Sequence, residues 1–252
     1  MHVAVCVKQI PDPAVAGSLD QQFHLNRSGK VLLDEADTYG VEVALQLVEA
    51  AGGGDVTLVS MGDASDVTGF RSALAMGATS AIVVSDPALR GADALTTAQV
   101  LAAVIAPLNA DLVLCATESS DGYTGTVPTQ VAELLSWPAL TYATKVSTDD
   151  GTVRISRQTE AGFDDVESST PAVVTVTAGS VEPRYANFKG IMAAKSKTID
   201  IRTLADLGLT VAPQEVVDSV TKAPTREAGT KIVDDGTSAQ AIISFLESIK
   251  VL

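Results

Sequence analysis

The stretch VTLVSMGDASDVTGFRSALAMGATSAIVV, residues 56–84, decides the fold class. Val56–Ser60 and Ala81–Val84 are short β-branched runs, which are typical of buried strands. Asp66–Met76 lies between them with the apolar spacing of a helix, and Gly77 ends it. A strand, a helix and a second strand joined by short turns predict parallel strands with a right-handed crossover.

The same alternation continues on both sides of this unit. Its predicted elements are a strand at Val3–Val7, a helix at Thr38–Ala50, a helix at Ala92–Ile105, a strand at Leu112–Cys115 and a helix at Pro128–Leu135. Such alternation favours an α/β fold, with a doubly wound, mostly parallel sheet and helices on both faces. Only 4% of the residues are aromatic, which predicts an aliphatic core.

Two segments interrupt the alternation before the C-terminal region. Lys8–Lys30 carries prolines and glycines and predicts a long loop or an irregular hairpin. Tyr142–Val146, Val153–Arg157 and Ala172–Val176 are β-like and have no long helices between them. These runs predict a small additional β region, partly antiparallel, within the same domain.

The chain loses its alternation from Leu209 onward and becomes a polar stretch interrupted by prolines and glycines. It ends in a predicted amphipathic helix, Ser238–Ile249, with Ile242, Phe245, Leu246 and Ile249 on one side. This helix either folds back on its own domain or lies on another subunit. The sequence therefore predicts an α/β domain at residues 1–210 and an extended C-terminal arm at residues 211–252.

Charge and composition exclude several classes of function. A net charge of −14 repels phosphate backbones and anionic lipids, so we expect no nucleic-acid partner and no direct membrane insertion. No apolar segment approaches the roughly 20 residues of a membrane span, and the segment MHVAVCVKQI has no charged region followed by a long apolar stretch, so we expect a cytoplasmic protein. Cys6 and Cys115 predict two buried, reduced thiols, and no spacing of metal ligands is present.

The inventory of catalytic residues is poor. His2 and His24 are the only histidines, and neither belongs to a Ser–His–Asp or HExxH pattern. The sequence also lacks the Walker loop GxxxxGK[ST] and the GxGxxG fingerprint. A self-contained hydrolase or kinase is therefore disfavoured, and we expect a protein without catalytic residues of its own.

The most informative polar stretch is TESSDGYTGTVPTQVAE, residues 117–133, which follows a predicted strand and opens a predicted helix. Thr124, Gly125, Thr126 and Val127 fit a phosphate cradle, because a helix N-terminus offers unpaired N–H groups and a partial positive charge. An ordinary helix N-cap, with a threonine hydroxyl as the capping group, explains the same composition equally well.

Three further turns would surround the same edge of a doubly wound sheet. They are Val5–Lys8, Ala36–Gly40 and Ser60–Gly62. Each alone is an ordinary turn. Their convergence with the loop at Thr124 indicates an adenine nucleotide, because ligands of such sheets bind at the carboxyl ends of the strands.

The segment VEPRYANFKGIMAAKSKTID, residues 181–200, resembles the signature segment of electron-transfer flavoprotein β subunits. Other family landmarks stand in order: VAVCVKQIPD at 3–12, RSALAMGA at 71–78, DGYTGTVPTQVAELLSWP at 121–138, PAVVTVT at 171–177 and REAGTKIV at 226–233. The resemblance covers essentially the whole chain, and the combination of landmarks is highly specific.

This resemblance implies a heterodimer with an α subunit that carries most of the contacts to a redox-active FAD. That FAD would accept electrons from acyl-CoA dehydrogenases and related flavoenzymes and pass them to a quinone oxidoreductase. The β subunit would bury a structural AMP. The implied AMP contacts are Cys6, Asp37, Thr38, Tyr39, Gly40, Met61, Asp121, Gly122, Tyr123, Thr124, Gly125, Thr126 and Val127.

The resemblance also implies a docking segment for the dehydrogenases. Its residues would be Glu182, Arg184, Tyr185, Phe188, Lys189, Ile191, Met192 and Lys195, and Asp164 would contact the flavin-bearing domain. Between Glu182 and Arg202 the basic residues exceed the acidic ones by three, around an apolar Phe188, in a chain of net charge −14. The C-terminal arm and its helix would pack on the α subunit.

Several positions depart from the family pattern, and five of them are predicted site residues. Tyr123 stands where many members have a polar residue, Thr126 replaces a frequent Gln, and Asp37 stands where Asn is common. Asp164 replaces Glu, and Phe188 replaces Leu. These departures concern contacts with the ligand and the partners.

Three alternatives remain open at this stage. A bifurcating relative would hold a second FAD in place of AMP and oxidise NADH, although its loop tends to read Thr-Ala where this chain has Thr-Gly. A universal-stress-type ATP-binding domain would have a loop richer in glycine. A structural nucleotide-binding scaffold would have no electron-transfer role.

Overall fold

The computed structural model describes residues 1–225 and 228–252. Arg226 and Glu227, which open the REAGTKIV landmark, lie outside the described residues. The strands are β1 His2–Cys6, β2 Gln9–Pro11, β3 Val31–Leu33, β4 Asp55–Met61, β5 Ser80–Val84, β6 Leu112–Ala116, β7 Ala139–Asp149, β8 Thr152–Thr159, β9 Gly162–Ser169, β10 Ala172–Val176 and β11 Ile199–Arg202. The α-helices are α1 Glu35–Ala50, α2 Thr68–Met76, α3 Ala94–Ile105, α4 Val127–Leu135, α5 Phe188–Ala194 and α6 Ser238–Ser248.

Nine of the described strands form one sheet in the order β11-β5-β4-β1-β6-β10-β7-β8-β9. The strands from β11 to β7 run parallel, whereas β8 and β9 are antiparallel to their neighbours. β1 lies inside the sheet, where Val5 pairs with Leu58 of β4 and with Leu114 of β6. The chain moves outward from β1 to β4 and β5 and then returns to β6 on the other side.

Helices cover both faces of this sheet. Successive side chains of β1 point to opposite faces and pack against different helices. Val3 and Val5 lie in an apolar cluster with residues of α1 and α2, such as Val41 and Phe70. Ala4 between them lies in a second cluster with residues of α3 and α4. This arrangement confirms the predicted doubly wound, mostly parallel fold.

The predicted additional β region is confirmed, but its composition differs from the prediction. β7, β8 and β9 extend the main sheet, with a positive φ of 60° at Tyr142 and a register shift where β7 changes partners. Ala172–Val176, which the sequence grouped with this region, is β10 and lies in the parallel part between β6 and β7. β9 was missed because its sequence, GFDDVESS, is polar and largely exposed.

The irregular hairpin predicted at Lys8–Lys30 is a separate two-stranded antiparallel sheet of β2 and β3. Its long connection is tied to the rest of the chain by an ion pair between Arg90 and Asp20, 2.6 Å apart. β11 and α5 were not predicted, since each is shorter than a reliable periodic pattern. The predicted docking segment therefore contains a helix rather than being only a loop.

The chain divides into two compact units, residues 1–217 and residues 218–252. In the first unit, Leu204 is buried against the α3–α4 cluster and Leu209 packs partly against it. In the second unit, α6 forms at the predicted position and none of its residues is buried; Phe245 is 57% exposed. The division at residue 210 and the packing of the arm on another subunit stay predictions.

None of the described helices is both long enough and apolar enough to cross a membrane.

Candidate nucleotide site and docking segment

The predicted nucleotide residues lie at the carboxyl edge of the sheet. Cys6 ends β1 and Met61 ends β4, while the segment from Asp121 to Thr126 follows β6. From β1 the chain leads to α1 on one face, and from β6 it leads to α4 on the other. The two connections therefore part at a topological switch point, where doubly wound sheets bind their ligands.

Lys8, just after β1, joins this loop through charged contacts. Its ammonium Nζ lies 2.6 Å from Oδ1 of Asp121 and donates to Oγ of Ser119 at 3.2 Å. The guanidinium of Arg27 contacts the other carboxylate oxygen of Asp121. Burial alone would raise the pKa of Asp121, but the hydrogen bond from Lys8 and the charges of Lys8 and Arg27 lower it below its usual value. The two cations therefore hold the start of the loop in place.

The first turn of α1 makes the second connection. Asp34 is fully buried, caps α1 by accepting from the N–H of Ala36 at 3.2 Å, and accepts from the N–H of Ser120 at 2.7 Å. The hydroxyl of Ser120 also donates to Asp34. One carboxylate thus fixes both the start of α1 and the loop after β6.

Asp37 lies one turn further along α1, with 5% of its surface exposed. It accepts from the N–H of Lys8 at 2.6 Å. Burial raises the pKa of Asp37 well above its usual value, and the neighbouring carboxylate of Asp34 raises it further.

The N-terminus of α4 fits a phosphate group. Thr126 occupies the N-cap position, yet its side chain makes no capping hydrogen bond. Gly125 has a φ of 64°, a left-handed conformation that suits glycine. Within residues 1–225 and 228–252, the N–H groups of Thr124, Gly125, Thr126 and Val127 find no protein acceptor. These donors and the helix dipole favour an anion at this point, and a phosphate at this position stays a prediction.

Helix α1 packs at contact distance on β1 and β10 at Gly40. A Cβ at Gly40 would lie 3.5 Å from Val5 and 3.7 Å from Val176, which is ordinary contact distance. A Cβ at Gly122 would lie 2.8 Å from Oγ of Ser119, so a side chain there would require the Ser119 hydroxyl to move. The hydroxyl of Thr38 donates to the carbonyl of Glu35 at 2.6 Å, which leaves its oxygen as an acceptor.

The two thiols differ in exposure. Cys115 is buried in β6 and Cys6 is partly exposed, and both are free. A hydrogen bond with Cys6 and burial raise the pKa of Cys115 well above its usual value. The buried thiol therefore stays protonated and is a poor nucleophile.

The predicted docking segment carries a set of exposed apolar side chains. Tyr185 is 93% exposed and Phe188 is 79% exposed, while Ile191 and Met192 are each about half exposed. Lys189, Lys195 and Glu182 are also exposed. An apolar group surrounded by polar residues on the surface of a protein is typical of an interaction site.

Arg184 has a different environment from the rest of this segment. Its guanidinium lies 2.7 Å from the buried carboxylate of Glu42 and 2.6 Å from that of Glu49, both on α1. Arg184 thus anchors the segment to α1, and any contact of Arg184 with a partner stays a prediction. Asp164, the predicted contact to the flavin-bearing domain, faces Arg157 at 3.5 Å on the neighbouring strand.

The structure brings the β1, α1 and β6–α4 residues of the predicted site together, and it places the docking segment elsewhere. Helix α1 links the two regions, with Asp37 in its first turn and Glu42 further along. Sequence reasoning missed Asp34, Ser120 and Arg27 as parts of the site. The N-cap pattern Asp-Glu-Ala-Asp could have revealed Asp34. No local sequence pattern indicates that Arg27 contacts Asp121.

A groove of about 620 Å³ lies away from these residues, between α1 and the strands β7 and β8. None of the predicted nucleotide or docking residues lines it. In the described part of the chain, no group of three or more His, Cys, Asp or Glu side chains could hold a metal ion.

The family described as the electron transfer flavoprotein domain matches residues 22–207 of this chain. An electron transfer flavoprotein subunit beta of Mycobacterium tuberculosis is 36% identical over 265 residues, which covers all of this chain and 99% of the relative. The protein of the same name in Clostridium acetobutylicum is 35% identical over 230 residues, 88% of each chain. An acryloyl-CoA reductase electron transfer subunit gamma of Anaerotignum propionicum is 29% identical over 265 residues, 99% of this chain and 98% of the relative.

Proposed function

The chain belongs to the electron transfer flavoprotein family, among the β subunits, and we propose that it forms a heterodimer with an α subunit and binds a structural AMP. In this proposal the FAD is bound mainly by the α subunit. The β subunit docks flavin dehydrogenases such as acyl-CoA dehydrogenases, and the FAD then passes the electrons to a quinone oxidoreductase. The chain contributes no catalytic residue of its own and works in the cytoplasm.

The observation that carries the nucleotide proposal is the uncapped N-terminus of α4 at the switch point of the sheet. Lys8 and Arg27 are both paired with Asp121 in the loop before α4, so a phosphate there would depend on backbone donors and the helix dipole. The ribose and base would lie toward the first turns of α1, where Asp37, Thr38 and Tyr39 are placed.

Two kinds of observation support a carrier role with partners. The relatives are named as subunits, and one is named as the electron transfer subunit of an acryloyl-CoA reductase. The exposed apolar group on the docking segment lies within a locally basic stretch of an acidic chain. Such a surface speeds encounter with an acidic partner, while the apolar residues provide the contact.

A bifurcating subunit with a second FAD in place of AMP is the alternative within the family. The family match gives no support to the universal-stress alternative. The AMP-binding and the bifurcating types differ in the flavin and AMP bound per heterodimer. Measuring these cofactors therefore distinguishes the two.

The experiment is to co-purify the chain with its α subunit, denature the complex and quantify flavin and AMP per αβ pair. One FAD and one AMP support the proposal. Two FAD per pair would establish the bifurcating alternative, and a complex with neither AMP nor a second flavin would refute the nucleotide site.

A further inference from the structure

Helix α5, which carries Phe188, Ile191 and Met192, packs on α2 at an unusually close approach. A Cβ at Gly190 would lie 2.4 Å from the carbonyl oxygen of Ala75, closer than real Cβ atoms come to such an atom. Gly190 has no positive φ, so glycine is required at this position by the limited space and not by the backbone conformation. The N–H of Gly190 also donates to Oδ1 of Asn187 at 2.8 Å, which caps α5.

Arg71 and Lys197 each donate hydrogen bonds to carbonyl groups near the end of the opposite helix. Arg71 of α2 donates to the carbonyls of Ala194 and Lys197, each at 2.6 Å. Lys197, just beyond α5, donates to the carbonyls of Leu74 and Ala78, at 2.9 and 2.6 Å. Each cation therefore satisfies carbonyl groups at the C-terminal end of the opposite helix, where the helix dipole favours positive charge.

The buried side of α5 therefore packs on the core, and its exposed side forms part of the protein surface. Ala194 is 3% exposed and belongs to the apolar cluster of α1 and α2. The side chains of Phe188, Ile191 and Met192 contribute to the exposed surface instead. A surface held in one conformation before contact loses less conformational entropy on binding than a mobile loop does.

We propose that Arg71, Gly190 and Lys197 are positioning residues that hold α5 on α2 in the conformation that a flavin dehydrogenase recognises. This inference rests on the proposed docking function. None of the three residues needs to touch the partner. They would affect electron transfer indirectly, by fixing the position of Phe188.

The test uses the αβ complex with Gly190→Ala, because an added methyl group must move α5 away from Ala75. Gly29→Ala is the matched control, since a Cβ at Gly29 meets no atom within 4 Å and its φ is ordinary. Phe188→Ala is the comparator that removes the docking side chain itself. The rate of flavin reduction is measured against the concentration of an acyl-CoA dehydrogenase, together with hydrogen exchange of the α5 amides.

We expect Gly190→Ala to raise the apparent KM for the dehydrogenase about tenfold with little change in kcat. Exchange of the α5 amides should accelerate, while flavin and AMP content stay normal. Lys197→Gln keeps Gly190 but loses the charged donor, so it should also raise the KM. Lys197→Arg keeps a charged donor, so its KM should stay closer to that of the unmodified complex.

The possible results separate the two proposals. If Phe188→Ala raises the KM while Gly190→Ala and Lys197→Gln leave it unchanged despite faster exchange, the positioning inference is wrong and the docking function stands. If all three variants have normal KM values, the docking function fails and the inference fails with it. A change in Gly29→Ala as large as that in Gly190→Ala would also overturn the inference.

Discussion

Arg184 donates from Nε to Oε2 of Glu42 at 2.7 Å, across 142 positions of the chain. Glu42 is almost fully buried on α1, and Arg184 also donates from Nη1 to Oε1 of Glu49 at 2.6 Å. The segment at residues 181–200 is therefore attached to the same helix that carries part of the proposed nucleotide site. This contact is a tertiary one, and it leads to the first prediction.

Glu42→Gln should destabilise the first unit by about 2 kcal/mol, because it weakens a buried, hydrogen-bonded charge pair while Arg184 keeps Glu49. Glu49→Gln is the matched control; its carboxylate is exposed, so the cost should stay within about 1 kcal/mol. Burial opposes ionisation of Glu42, but the hydrogen bonds from Arg184 and Gln46 lower its pKa below the usual value. The contribution is therefore present at neutral pH and is lost as the pH falls through the lowered pKa. Chemical denaturation at several pH values checks this, and equal costs for both variants would contradict it.

Asp37→Asn should stabilise the chain at pH 7. The pKa of Asp37 is raised in the folded state by burial and by Asp34, so the unfolded chain releases this proton more readily. Stability contributed by Asp37 is therefore lost as the pH rises above the unfolded pKa of about 4. An Asn keeps an acceptor for the N–H of Lys8 and does not titrate. Melting temperatures of both proteins at pH 4 and pH 7 should diverge as the pH rises; a constant difference would show that Asp37 does not titrate abnormally.

Thr126→Pro should reduce nucleotide content, because it removes a backbone N–H at the N-terminus of α4. Loss of a hydrogen bond to a charged phosphate costs on the order of 1.5–3 kcal/mol. Thr126→Val keeps the N–H, removes only the hydroxyl and serves as the control. Nucleotide released from the denatured complex is measured by chromatography, with circular dichroism to confirm that each variant folds. Normal content in Thr126→Pro would count against the phosphate position.

Phe188→Ala should weaken productive docking by about 2 kcal/mol, or roughly thirtyfold, if this exposed ring is an interface hot spot. Leu95→Ala, at an exposed position on α3, provides a control away from the docking segment. Reduction rates with a cognate acyl-CoA dehydrogenase are measured across a salt series, because the basic residues around Phe188 should affect encounter. An unchanged rate without salt dependence would leave Phe188 as an ordinary surface residue.

Truncation after Val217 should abolish or strongly weaken binding of the α subunit while the first unit stays folded. Residues 1–217 contain both apolar clusters, whereas α6 in the second unit has no buried residue. Phe245→Ala on the apolar side of α6 should weaken the same binding, and Glu247→Ala should not. Co-purification with a tagged α subunit checks all three variants. Normal binding by the truncated chain would show that the arm does not pack on the partner.

The sequence by itself determined the fold class and most elements of the parallel sheet. Its helical and strand periods are long and regular between Val3 and Leu135, since each element buries one apolar face. The glycine-rich and hydroxyl-rich loop at Thr124 lies after β6 at the carboxyl edge of the sheet, as its position between a strand and a helix predicts, and its role as a nucleotide site stays a prediction. The resemblance to a family added the docking segment, which local periodicity could not provide.

Tertiary structure decided what depends on contacts between distant residues. β10 lies between β6 and β7 because strand order follows packing, which a local apolar run does not encode. Asp34 reaches Ser120, Arg27 reaches Asp121 and Arg184 reaches Glu42 only after the chain has folded. The close approach of Gly190 to Ala75 is equally invisible in sequence, because a glycine chosen for space looks the same as one chosen for backbone freedom.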